Sequence, residues 1–234
     1  MACAEPIGLT PRLQAIAGQV PQGARLADIG TDHAHLPIWL LEQGRIGFAI
    51  ASDIRTGPLE RAAENTARHG LSAQVSLRLG AGLAQVQPGE CDVISIAGMG
   101  GETIAEILSA APWTAEGQHL LLLQPMTMIA ELRQYLWGHG YEITAETLCR
   151  EEHRRYVVLT VRGGAQPHKV TLPHCSVSPA LLRAEHAEDY LRHLLRRETR
   201  ALEGLRQANG DVAERLQQQE ETVRVIQESL EALK

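Results

Sequence analysis

The sequence predicts an α/β fold, a doubly wound and mostly parallel sheet followed by a pair of C-terminal helices. Five short apolar runs alternate with helix-like stretches between residues 25 and 138, an order typical of parallel sheets. Two further apolar runs, 141–148 and 156–162, follow without an intervening helix and predict an antiparallel hairpin at one sheet edge. From residue 191 onward apolar side chains recur in steps of three and four, the spacing of a coiled-coil seam.

The elements of the sheet can be placed in order along the chain. An amphipathic helix should begin at Thr10-Pro11, because proline suits the first helical turn. Strands are expected at about 25–29, 46–52, 74–79, 92–97 and 120–123, and helices at about 34–43, 58–70, 102–110 and 128–138. The last two strands should be joined by the charged loop 150–154.

Three parts are predicted: a sheet domain over 1–164, a proline-containing linker or wrapping segment over 165–179, and a helical hairpin over 180–234. The seam breaks at Asn209-Gly210-Asp211, where glycine can end one helix and aspartate can cap the next. This favours an antiparallel hairpin in a monomer; the alternative is one continuous coiled coil that dimerises. We expect the seam to bury its own apolar face, so that truncation after about residue 164 leaves a folded domain.

Composition narrows the functional classes. The 234 residues carry a net charge of -6 and are 44% hydrophobic, and no apolar run reaches the roughly 20 residues of a membrane span. No signal peptide is recognised. The four cysteines are far apart and indicate reduced thiols in a cytoplasmic protein, with neither disulfides nor a zinc site. Residues 181–206 hold six arginines against five acids, so a polyanion should bind there first.

Polar residues at the predicted strand ends indicate a ligand site. Gly30 follows the first strand and Asp53 ends the second, and open α/β sheets bind ligands at these carboxyl ends, with an acid accepting both ribose hydroxyls. Asp32 stands where a carboxylate would repel a diphosphate, so a ligand with a ribose, an amino-acid tail and no phosphate fits best. S-adenosylmethionine has that shape, and its expected contacts are Asp28, Gly30, Asp53, Ile54, Gly80, Ala81, Gly82, Ala97 and Gly98.

Asp32 and His33 are the predicted catalytic residues. With His35 they could suggest a metal site, but at a helix N-terminus the two histidines would point about 200° apart, so no metal is expected. Asp32 would be a first-turn acid of the helix, and His33 would orient it or contact phosphate. The run Gly98-Met99-Gly100-Gly101 should present bare backbone to the substrate.

Together, the run from Asp28 to Pro37, the run Ala97–Gly101 and Leu123-Gln124-Pro125 resemble the bacterial tRNA adenine N1-methyltransferases that modify position 22, the TrmK family. The resemblance implies a Rossmann-like, seven-stranded class I methyltransferase that uses S-adenosylmethionine on the tRNA D-arm, with the hairpin helping to hold RNA. In two places the chain departs from the family pattern. Met126 replaces an expected asparagine, which leaves Gln124 to contact the base, and Ala81 replaces an aspartate that commonly binds the cofactor's adenine.

On this interpretation adenine N1 attacks the methyl group directly, because it already carries a lone pair, and Asp32 stabilises the cationic ring or accepts an N6 proton. The base must be unpaired or flipped out. Expected substrate contacts are Gly100, Gly101, Gln124, Pro125, Arg12, Arg133, Arg154, Arg155, Arg192 and Arg196. The alternatives are a nicotinamide-dependent oxidoreductase, disfavoured by the missing third glycine and the terminal strand pair, and a non-catalytic RNA-binding module, disfavoured by the acidic net charge.

Overall fold

The computed structural model describes residues 7–208 and 212–233 and contains the predicted seven-stranded sheet. The strands are β1 Leu26–Ile29, β2 Ala49–Asp53, β3 Val75–Leu79, β4 Val93–Gly100, β5 Leu120–Thr127, β6 Glu142–Glu151 and β7 Arg154–Arg162. Their order is β3-β2-β1-β4-β5-β7-β6. The first five strands are parallel, and β7 runs antiparallel to both neighbours.

The helices are α1 Pro11–Gln19, α2 His35–Glu42, α3 Thr56–Arg68, α4 Gly101–Ser109, α5 Ile129–Gly138, α6 Pro179–Leu182, α7 Ala187–Gln207 and α8 Ala213–Ala232. Alternate residues of the central strands belong to two separate apolar clusters, so both faces of the sheet are buried. Within the described ranges, no helix is long and apolar enough to cross a lipid bilayer.

The turn after β1 differs from the prediction. The helix begins at His35, and both His33 and Ala34 precede it with positive φ angles of 60° and 57°. Asp32 and His33 therefore lie in a strained turn. The prediction that they lie in the first turn of a helix is wrong. The predicted angle between the two histidines no longer applies, since their rings lie 5.5 Å apart.

Strands β4 and β5 run further than predicted. Bulges at Gly98 in β4 and at Met126 in β5 let β4 continue to Gly100 and pair with β5 as far as Thr127. Proline is tolerated in sheets at bulges, and Pro125 lies opposite Met99 there. The motif that was expected to be a turn is therefore the bulged end of a strand.

The predicted charged loop is mostly strand. β6 and β7 remain paired as far as Glu151 and Arg154, which leaves only a two-residue turn. Ile29, Ile96, Leu123 and Leu159 lie in one row across the sheet, and β7 begins five residues before that row. At about 3.3 Å per residue, this β6–β7 ribbon projects roughly 16 Å past the carboxyl end of β1, whereas β4 and β5 extend four residues beyond the same row.

The helices α7 and α8 pack against each other as an antiparallel hairpin, as predicted; the interrupting Asn209-Gly210-Asp211 lies outside the described residues. Two polar residues of the predicted seam pair with each other. The Gln219 side-chain amide donates to the backbone carbonyl and the carboxylate of Glu198, each at 2.9 Å.

The hairpin also packs on the sheet domain, contrary to our expectation. Tyr190, Leu194 and Val225 lie beside the seam, and they are buried with Val177 and Leu181. Leu148 of β6 packs against this cluster. The hairpin therefore has a second apolar face, because its buried positions extend beyond the predicted spacing.

The segment 165–179 wraps around the sheet domain. Cys175 is fully buried and, with Ala180, belongs to the apolar cluster of the sheet. Backbone hydrogen bonds join Ala165 to Gly140 at 2.9 Å and His168 to Trp137 at 3.0 Å. Of the two possibilities left open by the sequence, the wrapping segment is therefore the one observed.

Candidate functional site

A cleft of about 840 Å³ opens at the carboxyl ends of β1 to β4. It lies where the strand order reverses direction between β1 and β4, the usual ligand position in such sheets. All nine predicted cofactor residues line it: Asp28, Gly30, Asp53, Ile54, Gly80, Ala81, Gly82, Ala97 and Gly98. Lining residues that the sequence did not identify include Thr10, Leu13, His35, Thr103, Glu106 and Ile107. The amphipathic spacing of α1 and α4 shows which helix face is turned toward the protein, but it does not show whether a residue on that face lines a cleft or packs in the core.

Asp28 is a buried acid of the cleft, 7% exposed. Burial raises its pKa to about 6, and the neighbouring hydroxyls of Thr31 and Ser95 and the Arg12 guanidinium offset this only in part. A carboxylate buried in this way gains most from a cationic ligand group.

Asp53 stands at the end of β2 with its carboxylate already oriented. Its Oδ1 accepts a hydrogen bond from the Arg55 backbone amide at 2.8 Å, and the residue is 7% exposed. In the part of the chain described, Oδ2 has no hydrogen-bond partner. The carboxylate is thus held in place with one oxygen available to a ligand hydroxyl.

Gly30 allows a close approach within the cleft. Its φ is +71°, and an added Cβ would overlap the terminal methyl group of Met99. Only glycine adopts this backbone without strain. The Met99 side chain, which also lines the cleft, therefore lies directly over the turn after β1.

The far end of the cleft is formed by backbone and apolar groups. Gly82 has φ +52°, and an added Cβ would lie 2.9 Å from Ile107 of α4. Ile54 also lines the cleft and is 68% exposed. With Ala81 between the glycines, this part of the cleft offers apolar surface and backbone hydrogen-bonding groups.

Asp32 lines the cleft, whereas His33 lies beside it and is not a lining residue. The Asp32 side chain is 87% exposed, and its Oδ1 lies 3.1 Å from Nε2 of His33. That same nitrogen lies 3.2 Å from Arg61 Nη1 of α3. Asn65 donates to the His33 backbone carbonyl at 3.0 Å. The strained turn is therefore held by α3, through two residues that the sequence did not single out.

Gln124 does not fit its predicted role as a base contact, because its side-chain amide is already occupied. Its Oε1 accepts from Arg12 Nη1 at 2.9 Å and from the Gly98 amide at 3.1 Å. Its Nε2 donates to the Pro125 carbonyl at 2.9 Å and lies 3.6 Å from the Met126 sulfur. The residue is fully buried, so it positions Arg12 and the Gly98 bulge.

The glycines of the β4–α4 junction have different surroundings. An added Cβ on Gly101 would overlap the Met128 carbonyl, so packing within the protein excludes a side chain there. Gly100 is partly exposed, beside Thr127. Pro125 is buried. Of the predicted substrate residues on these two strands, only Gly100 retains an open backbone.

The prediction that Arg133 contacts phosphate is wrong. Its side chain is 2% exposed, and it forms an ion pair with Glu146 at 2.6 Å. The fully buried guanidinium cannot reach RNA. The sequence could not show this, since Arg133 lies in α5 and its partner lies on β6.

The other predicted arginines remain accessible to solvent, although only 16% of the Arg155 side chain is exposed. Arg155 of the ribbon pairs with Asp189 of α7 at 2.9 Å, and Arg192 pairs with Glu188 at 2.5 Å. Arg154 and Arg196 are exposed and have no ion pair with any described residue. Burial and the charges of Arg155, Arg196 and Arg197 lower the pKa of His193, which shows how closely positive charge gathers where the ribbon meets α7.

No group of three potential metal ligands exists among residues 7–208 and 212–233.

Comparison with known proteins agrees with this geometry. Residues 9–159 match the family model described as a methyltransferase domain. A tRNA (adenine(22)-N(1))-methyltransferase of Bacillus subtilis is 38% identical over 156 residues, 67% of this chain and 66%, just under two thirds, of the relative.

Solved structures extend the likeness over nearly the whole chain. The B. subtilis m1A22 tRNA methyltransferase TrmK superposes with a TM-score of 0.84 at 30% identity, covering 96% of this chain and 99% of that one. A candidate tRNA (m1A22) methyltransferase of Streptococcus pneumoniae, in complex with S-adenosyl-L-methionine, has a TM-score of 0.81 at 32% identity and covers 95% and 100%. With this fold, this cleft and these relatives, the chain belongs to the TrmK-like family of class I tRNA (adenine-N1)-methyltransferases.

Proposed function

We propose that this protein transfers the methyl group of S-adenosylmethionine to N1 of adenine 22 in tRNA. The observation that carries the proposal is Asp53, a carboxylate fixed at the end of β2 in a cleft whose first turn carries an acid in place of a phosphate cradle. Such a site favours a ribose-containing ligand without phosphate. The relatives described above supply the substrate position.

The residues of the cleft fit this cofactor. Asp28 would bind the ammonium of the methionine end near Gly30, and Asp53 would accept from the ribose hydroxyls. The adenine would lie between Ile54 and Ile107, next to the backbone of Gly80–Gly82, which compensates for Ala81. When bound, the cofactor supplies an electrophilic methyl group on a sulfonium.

Asp32 is the residue that we assign to the chemistry. Its exposed carboxylate at the mouth of the cleft would accept a proton from the adenine N6 group or stabilise the ring as it becomes cationic. His33 lies between Asp32 and Arg61, so the tautomer of its ring decides whether Nε2 donates to the acid or accepts from the arginine. Gln124 would hold Arg12, which lines the cleft and would position the incoming base.

The tRNA would bind over the side of the molecule that carries the β6–β7 ribbon. Arg154 and Arg155 belong to this ribbon, and Arg155 pairs with Asp189 of α7, the helix that also carries Arg192 and Arg196. In this proposal residues 1–164 perform the chemistry, 165–179 fasten the hairpin, and 180–234 add RNA contacts. Because the seam is buried within its own chain, we propose a monomer, working in the cytoplasm with free thiols at Cys91, Cys149 and Cys175.

Methyl transfer to defined transcripts tests the proposal. An unmodified tRNA with adenine at position 22 should accept labelled methyl groups and yield 1-methyladenosine on digestion, whereas the same tRNA with guanine at 22 should not. Calorimetric titration should show binding of S-adenosylhomocysteine and none of NAD. Equal labelling of both transcripts would refute the position, and NAD binding would favour the oxidoreductase.

A further inference from the structure

A second cleft, of about 330 Å³, lies between the start of α5 and the helical hairpin. Its walls include residues 128–131 on one side, Tyr190 and Arg197 of α7, and Gln218 of α8. None of these residues takes part in the cofactor site described above. The cleft is polar and joins the two parts of the molecule.

Tyr190 carries an unused hydroxyl in this cleft. The residue is 6% exposed, and its hydroxyl makes no hydrogen bond to any residue that the structure describes. The side chain lies within the electrostatic influence of the Arg133–Glu146 and Arg197–Glu198 pairs, and burial raises its pKa, so it stays a neutral donor. The hydroxyl is the solvent-accessible tip of an otherwise buried side chain, so it is open to a ligand, whereas the Tyr141 hydroxyl pairs with Thr114 at 2.7 Å.

The start of α5 offers further donors to the same cleft. Its capping residue, Met128, makes no side-chain cap and has a φ of 56°. The Leu132 amide bonds the Met128 carbonyl, whereas the preceding first-turn amides have no intrahelical acceptor. A ten-residue helix with an uncapped N-terminus attracts an anionic oxygen.

The position of the cleft indicates its ligand. Met128 packs on Gly101, at the end of the bulged strand that borders the cofactor cleft. Met128 therefore lies between the second cleft, which it lines, and the end of β4, whose residues 97–99 line the first cleft. We propose that the second cleft binds a nucleotide flanking the target adenosine, its phosphate accepting from the α5 N-terminus and the Tyr190 hydroxyl. This inference rests on the proposed function.

The cleft should bind through hydrogen bonds more than through net charge. Among its lining residues Arg133 is paired with Glu146 and Arg197 with Glu198, so neither arginine is free to pair with a phosphate, and Glu131 adds one acid. Counterions leave the RNA when a lysine or arginine neutralises a phosphate. A hydrogen bond from a neutral group strengthens binding without releasing further counterions. Loss of the hydroxyl should therefore weaken RNA binding at every salt concentration alike.

Replacement of one oxygen tests the inference. Tyr190→Phe should weaken binding of an unmodified tRNA transcript about tenfold. The slope of log affinity against log salt and the affinity for S-adenosylhomocysteine should remain unchanged. The melting temperature should stay equal or rise, because the hydroxyl has no partner to lose. Tyr141→Phe is the matched control: it breaks a hydrogen bond, so it should lower the melting temperature and leave tRNA binding intact.

The outcomes separate this inference from the proposed function. If the wild-type protein methylates tRNA and Tyr190→Phe binds it equally well, the second cleft is not an RNA subsite. If Tyr190→Phe lowers both stability and S-adenosylhomocysteine affinity, the hydroxyl is structural and the inference is also overturned. If the wild-type protein does not methylate tRNA, the proposed function itself fails.

Discussion

The guanidinium of Arg133 and the carboxylate of Glu146 form two hydrogen bonds, at 2.9 and 2.6 Å, inside the protein. Arg133 also donates to the carbonyls of Cys175 and Ser176, and the Ser178 hydroxyl donates to Glu146 at 2.6 Å. This network joins α5, β6 and the wrapping segment. The network fastens the wrapping segment to the sheet domain through polar contacts, while apolar contacts hold the hairpin against it.

We expect Arg133→Met to destabilise the protein by about 3–5 kcal/mol, because it leaves the buried carboxylate of Glu146 without its partner. Urea unfolding measures the loss. Arg206→Met is the control: it breaks the half-exposed pair with Glu220 at 2.8 Å and should cost less than about 1 kcal/mol. Similar losses in both variants would show that the buried pair is not structural.

Truncation after residue 164 should yield an insoluble or unfolded protein, not the folded domain that the sequence led us to expect. The cut removes Cys175 from the sheet cluster and both carbonyl acceptors of Arg133. Circular dichroism and gel filtration of the purified fragment would show the outcome. A monomeric fragment with cooperative unfolding would contradict the docking described here.

Asp53→Ala should weaken S-adenosylhomocysteine binding at least tenfold, since a charge-assisted hydrogen bond contributes about 1.5–3 kcal/mol. Arg55→Ala should bind nearly as well as the wild type, because the backbone amide at this position orients Asp53 and its side chain is 77% exposed. Isothermal titration compares the two. Unchanged affinity in Asp53→Ala would show that Asp53 does not bind the ribose of the cofactor.

Asp32→Asn should reduce methyl transfer by about two orders of magnitude, the scale of a general acid–base group. Its affinity for S-adenosylhomocysteine should stay within a few-fold of wild type, because the Asp32 carboxylate lies at the mouth of the cleft. Single-turnover transfer to tRNA and calorimetry provide the two measurements. A parallel fall in both would make Asp32 a cofactor ligand.

Asp28 should make cofactor binding pH-dependent. Its pKa of about 6 means that the carboxylate is protonated below pH 6, so S-adenosylhomocysteine affinity should rise between pH 5 and 7 and then level off. Asp28→Asn should bind more weakly and lose this dependence. A wild-type affinity that is flat over the same range would argue against an ammonium contact at Asp28.

The same shift has a consequence for stability. The pKa in the folded state lies above the unfolded value, so the unfolded chain releases its proton first and stability falls as pH rises from about 4 to 6. Above pH 6, Asp28→Asn should therefore stabilise the ligand-free protein, by about 3 kcal/mol at most. Thermal unfolding at pH 5 and pH 7 would show the difference.

The sequence by itself determined the sheet and the position of the cleft. Apolar runs of strand length predict β1 to β7, and the residues directly after each run are local features, so Asp28, Gly30, Asp53 and Gly80–Gly82 could be placed at one edge. The seam and its interruption likewise predicted two antiparallel helices. These are short-range patterns, because each depends only on residues that are close together in the sequence.

Only the tertiary structure decided what the polar side chains contact. Arg133 and Gln124 appear in the sequence as surface contacts, yet partners 13 residues or more away bury one in an ion pair and occupy the other with Arg12 and Gly98. The strained turn at His33 depends on Asn65, and the docked face of the hairpin depends on Leu148 and Val177. A polar group's role is set by the group that satisfies it, and that partner is chosen by the fold.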